Sequence, residues 1–146
     1  MPSQKDLDET YLEMAYVWAE LSKATRKKVG CLIVKDGQII SDGYNGTPKG
    51  YDNECEFVNE KFLDKAENKL ETKREVLHAE SNALMKLAKS TNSSKDSTIY
   101  LTMSPCFDCA KLIIQAEVKR VVCGEQYRIT DGIDFLRKNN IQVDII

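Results

Sequence analysis

The chain is short of several things that would point elsewhere. No apolar run approaches the roughly 18 residues of a membrane-spanning helix, and Met1 to Glu9 is polar and acidic. Neither a transmembrane helix nor a secretory leader is expected. An excess of positive charge is missing too. The 21 Lys and Arg stand against 23 Asp and Glu, leaving a net charge of −2 and no basic tail. A dedicated nucleic-acid binder would carry a positive surface, although a few local cations still suffice for a small anionic ligand. The five cysteines are an odd count that does not resemble a disulfide framework. Together with the missing leader they fit a reducing cytoplasm. Histidine is the scarcest resource, with His78 alone in 146 residues.

What remains is ordinary for a soluble globular protein, with 42% hydrophobic and 30% charged residues. The length suits one domain, residues 1–146, with its own hydrophobic core. No repeat or low-complexity segment interrupts it. Leu7, Tyr11, Met14, Trp18 and Leu21 recur at helical spacing and predict an amphipathic helix over 7–24, its aromatics facing the core or another subunit. Val29 to Lys35 and Gln38 to Tyr44 read as strands joined by the tight turn Asp36-Gly37, hence antiparallel. Residues 49–76 form a charged insert. Phe57, Phe62, Leu63, Ala66 and Leu70 lie there on a loose helical period, so a helix is expected within it. Then follow a helix from His78 to Lys89, a strand from Ser97 to Met103 and a helix from Pro105, suited to a first helical position, to about Ala116. A strand over Lys119–Cys123, a helix over Asp131–Lys138 and a strand over Ile141–Ile146 complete the chain. Strands separated by helices imply parallel crossovers. The expected fold is α/β: a three-layer α/β/α arrangement around a five-stranded mixed sheet, with the first hairpin antiparallel and the remaining strands parallel.

The chemistry concentrates in two strings, HAE at 78–80 and PCFDC at 105–109. His78, Cys106 and Cys109 make a three-ligand nitrogen and sulfur set suited to Zn²⁺. Structural zinc sites usually close with four protein ligands, whereas catalytic ones leave the fourth position to water. Glu80 is placed to move protons to and from that water. Residues two apart in mid-helix point to nearly opposite sides. His78 and Glu80 therefore share a site only off the N-terminus of their helix, and Pro105 puts Cys106 and Cys109 in the first turn of theirs. Two helix N-termini should converge on the metal, with dipoles that favour thiolates. The alternatives are a folding zinc and a merely solvated Glu80. Cys55 is a possible fourth ligand, in an acidic segment expected to be exposed. Cys31 and Cys123 lie in apolar strand-like runs and read as buried hydrophobes.

The combination H-x-E with P-C-x-x-C is the general signature of zinc nucleobase deaminases. The chain resembles the cytidine/deoxycytidylate deaminase superfamily, and within it the deoxycytidylate (dCMP) deaminases. SDGYNGTPKG (41–50) looks like their G-[YW]-N-G-x-P element, VGCLIV their first strand, HAESNAL their histidine helix and SPCFDCAKLIIQAEVKRVV their cysteine helix and next strand. The resemblance covers well over half the chain. It implies hydrolytic deamination of dCMP to dUMP and ammonia, on the supply route to thymidine nucleotides. By resemblance, His78, Cys106 and Cys109 bind one catalytic zinc and Glu80 is the proton shuttle. Asn45 falls where relatives hold the sugar 3′-hydroxyl, though it equally suits a turn. Tyr127 falls where an aromatic stacks on the base. Ala79, Ser104 and Pro105 join the substrate site.

Arg128, Lys23 and Arg26, with Lys27 and Lys28, are candidates for the 5′-phosphate, although a solvated charge run is the alternative. SKATRKKVG (22–30) departs here from the relatives' common S-K-D-P-S-T-Q-V-G. The resemblance also implies an allosteric nucleotide site at Gly43, Tyr44, Asn45 and Gly46, where dCTP, with or without Mg²⁺, activates and dTTP inhibits. The insert lacks the histidines with which some relatives bind a second zinc. A homo-oligomer, in relatives often a hexamer, is implied, with no nucleic-acid or membrane partner. Two other readings stay open: a tRNA adenosine or single-strand nucleic-acid deaminase, which would want a positive channel, and a non-catalytic zinc module, which would have no use for Glu80.

Overall fold

Ser3 starts the first helix one turn earlier than the apolar stripe indicates. The computed structural model describes residues 1–59 and 70–146, and its first helix, α1, spans Gln4–Ala19. The Ser3 hydroxyl accepts from the Asp6 N–H at 3.1 Å, and the Asp6 carboxylate accepts from the Ser3 N–H at 2.9 Å. This reciprocal capping box satisfies two otherwise unpaired donors of the first turn. The expected 7–24 boundaries are corrected at both ends, and so is the buried stripe. Asp8, Leu12, Ala15 and Ala19 face inward, while Met14 and Leu21 are exposed. The reason lies across the interface at Gly30. A Cβ there would stand 2.0 Å from the Ala15 carbonyl oxygen. Backbones that close meet along a line of small residues, and the large side chains move to its flanks.

The hairpin forms as expected. Strands β1 (Gly30–Lys35) and β2 (Gln38–Tyr44) pair antiparallel. Asp36 and Gly37 have φ of 51° and 74°, the left-handed pair that a two-residue hairpin turn needs. The insert is different. Glu56–Val58 (β3) and Leu70–Thr72 (β4) pair antiparallel as a separate two-stranded sheet. The helix expected in the insert is corrected at both of these edges, and its centre, 60–69, lies outside the described residues. Phe57 and Val58 are exposed, on an extended strand and not on a helical face.

After the insert come α2 (Ala79–Ala88), β5 (Thr98–Met103), α3 (Phe107–Gln115), β6 (Arg120–Glu125), α4 (Asp131–Lys138) and β7 (Gln142–Ile145). Each lies within a few residues of its expected position. Pro105 precedes the Cys106 N-cap of α3 instead of opening the helix. The five-stranded sheet runs in the order β2-β1-β5-β6-β7. β5, β6 and β7 are parallel, and β1 also pairs antiparallel with β5. Alternation divides the sheet residues between two faces. Cys31, Ile33, Ile99, Leu101, Val121 and Cys123 pack with residues of α2, α3 and α4. Leu32, Val34, Tyr100 and Val122 pack with Leu12 and Ala15 of α1. The result is three layers, helices–sheet–helix.

The α1 face also holds charge. Arg120 donates to both carboxylate oxygens of Asp8 at 2.8 Å and to Asp144 at 2.9 Å. The Tyr100 hydroxyl donates to Asp8 at 2.6 Å. Burial by itself would push the Asp8 carboxyl up; the Arg120 guanidinium, the Tyr100 hydroxyl and the Gln4 amide outweigh it and hold its pKa at about 2.

Candidate active site

Two helices begin at the C-terminal end of the parallel strands, where α/β sheets bind ligands. His78 is the N-cap of α2 and Cys106 the N-cap of α3. An N-cap side chain commonly turns back on its own helix. Neither of these makes such a bond; both turn toward each other. His78 Nδ1 lies 3.5 Å from Cys106 Sγ, 3.3 Å from Cys109 Sγ and 3.8 Å from Glu80 Oε1. Among the described residues these four form the group whose ligand atoms all lie within 4.8 Å of one another. A tetrahedral zinc with its usual bond lengths separates its ligand atoms by roughly 3.5–3.8 Å. The imidazole–sulfur spacing therefore fits that ion, with Nδ1 as the nitrogen ligand. Cys55 is not in the group. It is buried at 2% exposure, contrary to the expectation for its segment.

The electrostatics agree with this donor set. Hydrogen bonds from Cys109 and His78 hold the Cys106 thiol well below its usual range. The bond to Cys106, burial and the Glu80 carboxylate push Cys109 up. A divalent ion held between them would favour the thiolate form of both. Ser81 Oγ lies 3.3 Å from Cys109 Sγ as a further partner. Glu80 is only 3% exposed, and burial raises its carboxyl above the ordinary range. Cys31 and Cys123 are fully buried, as expected, and burial pushes Cys123 up to about 12.

The group opens into a cavity of about 270 Å³. Asn45, Ala79, Ser104 and Tyr127 line it beside His78, Glu80 and Cys106, and Arg26 and Lys27 reach it from the loop before β1. Ser104 ties two strand ends together, since its N–H donates to the Glu125 carbonyl at 2.8 Å and its hydroxyl accepts from the Tyr127 N–H at 2.6 Å. Asn45 organises the basic loop. Its side-chain oxygen accepts from Val29 N–H at 2.9 Å and its amide donates to the Lys27 carbonyl at 2.8 Å.

Other sequence candidates stand apart from the cavity wall. Lys23 and Arg128 are exposed, and Pro105 is buried behind it. Gly43 lies on α2, where a Cβ would meet the Ala79 carbonyl oxygen at 2.5 Å. Tyr44 packs edge-on against Trp18, and Gly46 bridges to Leu77. The wall also contains Cys55, Glu56, Thr72 and Val76, none of which the sequence reading assigned to substrate. The insert carries no motif, and its charged composition gives no sign of which side chains turn inward.

An imidazole and two sulfurs beside a buried carboxylate, facing an open cavity, fit the donor set of a zinc-dependent hydrolytic centre. The chain belongs to the cytidine and deoxycytidylate deaminase family, whose zinc-binding region matches residues 5–125. It is similar to the deoxycytidylate deaminase of Enterobacteria phage T4, 35% identical, with 92% of this chain and 86% of that protein covered. The human deoxycytidylate deaminase is 37% identical over 84% of this chain and 67% of its own. Among solved structures, the dCMP deaminase of cyanophage S-TIM5 in complex with dCMP and dUMP superposes with a TM-score of 0.88 at 41% identity, covering 99% of this chain and 100% of that one.

Proposed function

We propose that this chain hydrolyses dCMP to dUMP and ammonia, and that residues 1–146 act as one deaminase domain. The observation that carries the reading is the His78, Cys106 and Cys109 nest with buried Glu80 at the wall of a cavity reached by Arg26 and Lys27. His78, Cys106 and Cys109 would hold one zinc per chain. When bound, such an ion brings the pKa of water from about 15.7 toward about 7. Glu80 takes the proton of the attacking water, delivers it to the ring nitrogen and then assists the departing amine at C4. Tyr127 stacks on the base, Asn45 meets the sugar 3′-hydroxyl through the amide hydrogen that Lys27 does not use, and Ala79 and Ser104 frame the base, with Pro105 backing Ser104 from behind the wall. Arg26, on the cavity wall, is the first choice for the 5′-phosphate; Lys23 and Arg128 act from outside it.

Regulation belongs to the same reading. dCTP, with Mg²⁺, activates and dTTP inhibits through Gly43, Tyr44, Asn45 and Gly46. Gly43 touches the helix that carries Glu80, and Asn45 holds the basic loop. A nucleotide shifting this segment thus reaches both. Coupling of this kind is worth about 1–3 kcal/mol. The enzyme works in the cytoplasm as a homo-oligomer, up to a hexamer, supplying thymidine nucleotide precursors. Exposed Met14, Tyr16 and Val17 on α1 support assembly. No described helix is long and apolar enough to cross a membrane.

A panel of dCMP, CMP, deoxycytidine, dCTP and adenosine in tRNA, followed by ammonia release, tests the substrate. dCMP is expected to lead, and equal efficiency on deoxycytidine would replace the reading with a nucleoside deaminase. Elemental analysis is expected to give one zinc per chain. Saturation curves for dCMP with and without dTTP test regulation, and purely competitive inhibition unaffected by changes at 43–46 removes it.

A further inference from the structure

The insert grips the basic loop. Strands β3 and β4 place Glu56 and Thr72 directly opposite each other. Both side chains reach across to the segment before β1. The Glu56 carboxylate accepts from Thr25 N–H at 2.9 and 3.1 Å and from Arg26 N–H at 2.9 Å. Beside it, the Arg26 guanidinium donates to Thr72 Oγ1 at 3.3 Å. The other side of the same loop is held by Asn45, through Lys27 and Val29. Ser22 adds a third tether, its hydroxyl donating to the Asn45 carbonyl at 2.8 Å and accepting from Ala24 N–H at 3.2 Å.

Two successive backbone N–H groups facing one anion form a strong, directional contact. An exposed basic loop without it would sample many conformations, and binding a phosphate would then carry the cost of ordering it. We propose that Glu56 is a positioning residue: it fixes the Thr25–Arg26 backbone so that the Arg26 side chain and its neighbours meet the substrate's phosphate in a preset geometry. The β3–β4 pair is thereby a specificity element for nucleotides over nucleosides. The proposal deepens the dCMP reading and rests on it. Glu56 acts through Arg26 and not on the reacting atoms, so its removal weakens phosphate-bearing substrates above all.

The test uses the full-length zinc-loaded protein and Glu56→Ala. Amide exchange at Thr25 and Arg26 is expected to quicken at least about tenfold. The kcat/KM for dCMP is expected to fall about ten- to a hundredfold, chiefly through KM, while deoxycytidine loses much less. Glu56→Gln, which keeps one acceptor oxygen, recovers part of the loss. Thr72→Val gives a smaller loss in the same direction and serves if Glu56→Ala folds poorly. Unchanged exchange overturns the clamp. Equal losses on the two substrates overturn the selectivity, and a gain in dCMP affinity shows instead that the carboxylate obstructs the anion's seat. A wild-type protein inert toward dCMP overturns the substrate reading and its selectivity together, while the exchange measurement still decides separately whether Glu56 holds the loop.

Discussion

The two faces of the sheet are built on different physics. Under α2, α3 and α4 the core is apolar, and buried Glu80 lies at its rim beside His78, Cys106 and Cys109. Under α1 the core is thinner, and a charged pair, Asp8 with Arg120, fastens the helix to the sheet. Both carboxylates are nearly inaccessible, at 3% for Glu80 and 6% for Asp8. Their environments part them: burial leads at Glu80 and raises its carboxyl, whereas the guanidinium and hydroxyl donors prevail at Asp8 and lower it. A buried carboxylate with a complete set of donors serves stability, while one left near an open cavity is available for proton transfer.

The largest expected effect comes from breaking the α1 face. Asp8→Ala leaves the Arg120 guanidinium, whose side chain is 16% exposed, with Asp144 as its remaining carboxylate. Removing one member of a buried pair costs about 3–5 kcal/mol. Asp144 keeps this case near about 3 kcal/mol, read by urea unfolding of the zinc-loaded protein. Turnover of whatever remains folded is expected to stay close to that of the parent. A loss of activity without a loss of stability would break the division between the faces.

Glu80→Gln is the converse. It should preserve zinc content and folding and lower turnover by at least about 10², or about 2.7 kcal/mol of transition-state stabilisation. Near-normal rates would mean that another group shuttles the proton.

Acid separates the two carboxylates further. The Asp8 carboxyl titrates at about 2 in the folded chain and at about 3.9 when unfolded. A lowered folded value means that the stabilisation is complete above about pH 5 and drains away as pH falls from about 4 toward 2. It amounts to about 2.6 kcal/mol. Unfolding curves of the parent and Asp8→Ala are therefore expected to converge by that much in acid. Parallel curves would remove the assignment.

The smallest effect is expected on the outer surface of the opposite face. Lys86 and Asp42 lie 2.5 Å apart, but the lysine side chain is 56% exposed. Lys86→Ala is expected to cost less than about 1 kcal/mol and to matter less still in high salt. A cost matching that of Asp8→Ala would show that burial is not what distinguishes the pairs.

The sequence by itself determined the grouping of His78, Glu80, Cys106 and Cys109 and most of the fold. HAE and PCFDC are local strings, and their spacing already demands helix N-termini. Short apolar strand runs, the Asp36-Gly37 turn and the helices between strands are local as well, and they lead to the five-stranded sheet. Tertiary structure alone decided what depends on distant partners. Asp8 is buried because Arg120 lies across from it, 112 positions away. The buried stripe of α1 follows the close approach of Gly30, which helical periodicity does not register. Whether Glu56 faces water or the pocket depends on its pairing opposite Thr72 and on the loop that both then reach. Local pattern records which side chains share one side of an element; only packing selects which of those sides meets another part of the chain, because that choice is made by the combined energy of all the elements at once.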